Sequence, residues 1–221
     1  MMTHVSMTDF QTDPAPSTVS QADLQALIVA RLCHDLASPL GAITNGVELL
    51  EMVQAGSPEV ALVAQSARQA TARLRLFRLA FGHTGTDQMT GAAEMSSLLR
   101  AHSETARARM AWGISSDIPR SHAKFLILGL MCLETVIPWG GEIRLDKASE
   151  AYKICAEGQR MRVETELWEK LAKADQPLTV TPANVQFEEF RQTLNRFGFG
   201  LTLRHDDTTL TLVLTQKCTG K

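Results

Sequence analysis

Between Ala22 and Leu50 apolar residues recur at alternating steps of four and three: Ala22, Ala26, Val29, Cys33, Leu36, Leu40, Ile43, Val47 and Leu50. Such a run, with no polar miss, marks one face of a long helix made for a bundle seam. The helix is expected to reach about Val53, which makes it roughly 50 Å long at 1.5 Å per residue. Its start is read at Ser20, an N-cap three residues before Asp23. Gln54-Ala55-Gly56-Ser57 breaks the pattern, and Ser57-Pro58 reads as an N-cap followed by the first helical residue. A second seam then runs through Val60, Val63, Ala67, Ala70, Leu74, Phe77 and Phe81 and stops at Gly82. So short a connection makes the two helices antiparallel. Two helices cannot enclose a core. A second copy of the chain is therefore expected to complete a four-helix bundle about a two-fold axis.

The texture changes beyond residue 90. Helices are expected over 92–109, 121–136 and 185–196, and strands over 110–115, 142–145, 151–156, 199–204 and 208–214. The last two form a hairpin around Asp206-Asp207. Residues 159–174 read as a strand leading into a helix. This mixture predicts an α+β chain, a helical hairpin followed by an α/β sandwich, with the boundary inside 83–93. Residues 1–20 carry no Lys or Arg and no apolar stretch. They read as a disordered leader (1–20), not a signal peptide, ahead of a hairpin unit (21–84) and a second unit (92–221).

With Lys plus Arg at 22 and Asp plus Glu at 24 the net charge is −2, so a nucleic-acid-binding role is not indicated. No uninterrupted apolar run has the ~18 residues expected of a membrane span. The four cysteines, Cys33, Cys132, Cys155 and Cys218, form no close pair, which suits reduced thiols in the cytoplasm and no metal site.

His34 follows the seam position Cys33 and so faces outward. Ser38, Gly41, Asn45 and Glu48 lie below it on the same face, at steps of four, three, four and three, and Asp35 is adjacent. An exposed imidazole thus heads a stripe of small and polar residues that another protein can approach closely. Pro39 sits inside this helix at a cost of ~3 kcal/mol, a local rule broken beside a chemically loaded position. On the second helix Arg68, Arg73, Arg75 and Arg78 have no acid among them. Such a basic stripe would attract an acidic partner, with Arg68 and Arg75 as candidate contacts. The remaining histidines, His4, His83, His102, His122 and His205, read as surface residues. Trp112, Trp139 and Trp168 read as core or domain-contact residues.

The string His34-Asp35-Leu36-Ala37-Ser38-Pro39-Leu40 resembles the H-box of sensor histidine kinases. The wider stretch, with Leu32-Cys33-His34-Asp35 and Gly41-Ala42-Ile43-Thr44-Asn45-Gly46, is similar to the phosphorylation helix of the ChpT-type histidine phosphotransferases of Alphaproteobacteria. A kinase would also need a working ATP site. Where its Asn-rich box would stand, the helix Gly129-Leu130-Met131-Cys132-Leu133-Glu134-Thr135-Val136-Ile137 offers Met131 and Thr135, poor ligands for Mg²⁺. The glycine pair around Phe199 has no acid before it and reads as turn geometry.

The resemblance therefore implies a second domain like a degenerate histidine kinase ATPase domain, without ATP binding. It implies a homodimer that relays phosphoryl groups between receiver-domain aspartates through His34, with Asp35 assisting. In that family the donor is the receiver domain of a hybrid histidine kinase, and the acceptors are response regulators controlling the cell cycle, motility or development. The chain would need no cofactor of its own, because Mg²⁺ and the aspartate belong to the receiver. Ser38, Gly41, Asn45 and Glu48 would form the docking surface. Chemically, the neutral imidazole is the nucleophile, and a histidine with its ordinary pKa near ~6.5 is mostly neutral in the cytoplasm. Transfer then needs positioning and charge neutralisation. The rival readings are an ATP-dependent histidine kinase and a non-catalytic dimeric scaffold.

Overall fold

The computed structural model describes residues 21–54, 56–84, 88–104, 106–173 and 176–217. The expected leader and the Ser20 cap lie outside the described residues. Helix α1 spans Gln21–Val53 and passes unbroken through Pro39, and helix α2 spans Pro58–Phe81. Ser57 caps α2 by accepting from the Val60 amide at 3.3 Å, and Gly82 ends it by donating its amide to the Arg78 carbonyl. A Cβ at Gly82 would strike that same carbonyl, so glycine is required where the chain leaves the hairpin.

A two-residue strand, β1 (Met89–Thr90), leads into α3 (Ala92–Ser103). Then come β2 (Ala108–Trp112), β3 (Ile118–Pro119), α4 (Arg120–Glu134), β4 (Gly141–Ala148) and β5 (Ala151–Glu157). The chain finishes with α5 (Thr165–Ala172), α6 (Val185–Arg196), β6 (Phe199–His205) and β7 (Thr209–Gln216). Five strands form one sheet in the order β2-β4-β5-β7-β6, with β2 and β4 parallel and the other pairs antiparallel. β1 and β3 form a separate antiparallel pair. The observed fold is thus α+β, a helical hairpin joined to a layered α/β unit.

One face of the sheet supplies Ile143, Leu145, Tyr152, Ile154, Leu210, Leu212 and Leu214 to the core, and intervening residues such as Arg144, Lys153 and Thr215 are exposed. Each buried Leu or Ile contributes about 1.5–3 kcal/mol relative to exposure. Helix α4 lies at the centre, with every residue from Ala123 to Leu130 buried. A helix apolar all round has neighbours on all sides, here the sheet, α2 and α6. At Gly129 an added Cβ would stand 2.7 Å from Ile154 Cδ1 and 3.2 Å from the Phe190 ring, so glycine sets the close approach of α4 to β5 and α6.

Several expectations need correction. The helix expected over 92–109 ends at Ser103. There the serine hydroxyl donates to Leu99 O and accepts from the Met110 amide, which turns the chain into β2. Residues 161–164 form no strand before α5. His102 is buried, with Nε2 3.1 Å from Glu134 Oε1. His122 is half-buried and shares a 2.9 Å hydrogen bond with the Tyr152 hydroxyl. Trp139 is exposed and stacks with Arg160, while Trp168 is buried against Phe187.

The first seam divides into two. Ala26, Val29, Cys33, Leu40 and Val47 are buried or half-buried, on the side where α1 meets α2. Leu36, Ile43 and Leu50, with Leu32, are 47–57% exposed. α2 is also covered twice. Ala64 and Ala67 lie on its seam with α1, whereas Leu76, Leu79 and Ala80 belong to the core shared with α3 and α4. By length and composition alone, Leu24–Val53 is apolar enough to cross a membrane, with mean hydropathy 1.3. Yet a flank bearing Arg31, His34, Asp35, Ser38, Asn45 and Glu48 runs along it, which makes it amphipathic.

Candidate functional site

His34 lies midway along α1, with its side chain 80% exposed. Its phase follows from the helix itself. At about 100° per residue, His34 stands roughly 160–200° around the axis from Leu32, Leu36, Ile43 and Leu50. The exposed apolar stripe and the exposed histidine therefore face opposite ways. Ser38, Asn45 and Glu48 are exposed on the histidine flank, and Gly41 is half-buried with nothing within 4 Å of a Cβ built there.

His34 Nδ1 lies 3.3 Å from Asp35 Oδ1, and Arg31 Nε donates to Asp35 Oδ2 at 2.8 Å. The hydrogen bond to His34 is the largest influence holding the Asp35 carboxyl below its ordinary range, and Arg31 adds to it. An ionised carboxylate only accepts, so the proton between the two groups sits on Nδ1 and the Nε2 lone pair is left for chemistry. Pro39 has no amide to give to the Asp35 carbonyl one turn below, so that carbonyl lacks its helical partner. Behind the histidine, burial pushes the Cys33 thiol above its ordinary pKa, and the charge of Arg78 partly opposes that.

The Thr44–Thr71 hydroxyl contact at 3.5 Å gives the register of the hairpin. Counting from it, Arg75 is level with Leu40 and Arg78 with Ala37, within about two turns of His34. Arg68 is level with Val47, roughly 20 Å along the axis from His34. It is engaged by Glu51, with Nη1 3.4 Å from Oε2. The two arginines named from sequence thus part company, and Arg78 stands nearer the histidine than either. Its spacing of three from Arg75 was the available signal. Arg75 and Arg78 also line a cavity of about 330 Å³ with Leu98 of α3 and Arg120 of α4. Among the described residues no three His, Cys, Asp or Glu side chains gather closely enough to hold a metal ion.

An exposed imidazole on a helical hairpin, backed by a carboxylate and joined to an α/β unit, suits a protein that carries phosphoryl groups on histidine. Comparison with known proteins agrees. Residues 92–209 match the family described as "Histidine phosphotransferase C-terminal domain". The chain is 36% identical over 156 residues to "Protein phosphotransferase ChpT" of Brucella abortus (strain 2308), covering 67% of this chain and 74% of that protein. A solved structure described as "1.7 Angstrom Structure of a Bacterial Phosphotransferase" overlays with a TM-score of 0.63 and 28% identity, covering 90% of this chain and 98% of the other. The chain belongs to the histidine phosphotransferase family and is a phosphotransferase of the phosphorelay type.

Proposed function

We propose that His34 carries the phosphoryl group. The chain accepts it from the aspartyl phosphate of a receiver domain in a hybrid histidine kinase and passes it to response regulators. The observation that carries this reading is the exposed imidazole with Asp35 on Nδ1, which leaves Nε2 open on the outward flank of α1. In the forward step the Nε2 lone pair attacks phosphorus, the P–O bond to the receiver aspartate breaks, and the carboxylate leaves with the bonding pair. The ring becomes a phosphorylated imidazolium whose charge Asp35 balances. Mg²⁺ is supplied by the receiver, and this chain contributes no metal ligand. Ser38, Gly41, Asn45 and Glu48 offer the receiver a low surface, and Arg75 offers it positive charge. Arg68, held by Glu51, would act only at the far edge of a large interface.

The protein works as a cytoplasmic homodimer, in which Leu32, Leu36, Ile43 and Leu50 of two copies meet in a four-helix bundle. His34 then faces outward on each side, so two receivers can engage one dimer. The second domain is read as one that does not use ATP, because Met131 and Thr135, where a kinase carries its two asparagines, would make a poor Mg²⁺ site.

The test is transfer of label. The protein is incubated with a phosphorylated receiver domain, and separately with ATP–Mg²⁺, as wild type and as His34→Ala. An acid-labile, base-stable label acquired from the receiver and lost in H34A is expected. Label acquired from ATP alone would make the chain a kinase. Label persisting in H34A would remove His34 from the reaction.

A further inference from the structure

Asp35 follows His34 directly, and consecutive residues on a helix do not face each other. A carboxylate at that position has to bend back to reach the ring, and nothing in the helical geometry keeps it there. Arg31 supplies the missing hold. It lies one turn before Asp35, and its Nε donates to Oδ2 at 2.8 Å while Oδ1 remains 3.3 Å from His34 Nδ1. The two oxygens thus have different partners, and the carboxylate cannot swing to one without leaving the other.

We propose that Arg31 is a positioning residue for phosphoryl transfer, holding Asp35 against His34 Nδ1 so that Nε2 meets the phosphorus. The proposal rests on the reading of His34 as the phosphoryl acceptor. Through the step Nδ1 keeps its proton. Nε2 gains the bond to phosphorus, the receiver carboxylate departs with the electron pair, and the positive charge on the ring is met by a carboxylate already in place. In the reverse step the same carboxylate holds the proton on Nδ1 while Nε2 regains its lone pair. Arg31 touches neither phosphorus nor the ring and acts only through Asp35.

Stability is a poor explanation for the contact. Arg31 is 75% exposed, and ion pairs between exposed groups contribute little to folding. Arg31→Ala should therefore leave the helix intact, and its effect on transfer can be read cleanly. Transfer from a phosphorylated receiver is measured against receiver concentration for wild type, R31A, R31K, D35A and R31A/D35A, with circular dichroism melts as a check on folding. The R31A variant is expected to lower the maximal rate about 5- to 10-fold with KM within about twofold, and R31K to recover most of the loss. In the D35A background R31A should add nothing, because a residue that acts through another cannot be lost twice.

A change in KM alone would overturn the proposal and make Arg31 a docking residue, as would full additivity of the two losses. An R31A rate equal to wild type would also overturn it. None of these outcomes bears on His34, whose role stands or falls with the H34A label.

Discussion

In the proposed dimer, Ile43→Glu is expected to break self-association without touching His34. Leu32, Leu36, Ile43 and Leu50 are each about half exposed in the single chain, at 47–57%. Full burial of such a side chain contributes about 1.5–3 kcal/mol, so roughly 0.7–1.5 kcal/mol remains to be gained from each. Four from each copy sum to about 6–12 kcal/mol, set against an association cost of about 4–15 kcal/mol. The margin is narrow, and small losses on this stripe are amplified. A glutamate at 43 removes about 2 kcal/mol of apolar gain over the two copies and adds two carboxylates to a desolvated seam, so a loss of at least about 3 kcal/mol is expected. At 1.4 kcal/mol per decade, that weakens self-association at least ~100-fold. Sedimentation equilibrium over a range of concentrations measures it. Met52→Glu is the control, because Met52 shares the phase of His34 on the opposite flank and is 79% exposed. The reasoning is refuted if I43E associates as tightly as wild type, or if M52E weakens association equally.

Lys124 is buried between Glu189 Oε1 at 2.9 Å and the Gly82 carbonyl at 3.3 Å, so it fastens α4 to α6 and to the end of α2. Lys124→Met strands that carbonyl, and a loss of ~2–3 kcal/mol should appear as a fall in Tm of roughly 5–10 °C. Burial, aided by the charge of Lys147, lowers the pKa of His122. The unfolded chain then binds more protons, so stability should fall as the pH drops below the ordinary histidine value of about 6.5. Melts between pH 7 and 5 should show a shallower decline in His122→Gln, and an equal slope would remove His122 as the cause. Burial holds the Cys33 thiol high while Arg78 pulls it down. Arg78→Ala should therefore slow alkylation of Cys33, followed peptide by peptide by mass spectrometry near pH 8, and faster labelling would contradict the assigned sign.

The hairpin was legible because its signals are local. The Ser57-Pro58 cap, the stop at Gly82 and the four-three spacing act within a few residues of where they are written. The placement of the proposed phosphoryl site was legible for the same reason, since His34, Asp35, Ser38 and Pro39 all lie on one stretch of helix. Arg31 escaped notice because i to i+4 ion pairs are common on helices, and nothing in the spacing tells a contact to a working carboxylate from an idle one. Arg68 and Arg75 looked equivalent in sequence. Their separation, one paired with Glu51 and the other near the histidine, depends on the register of α2 against α1.

The sequence by itself determined the two helices, their antiparallel pairing and the outward histidine beside its carboxylate. Each follows from periodicity and caps that the chain carries locally. Only the tertiary structure decided that α2 has two buried faces, that His102 is interior and that Lys124 links three helices. Those outcomes depend on partners 30 to 65 residues away, Glu134 for His102, Gly82 and Glu189 for Lys124. A helical period records that a face is apolar. Which neighbour covers that face is settled only when distant segments compete for the same surface.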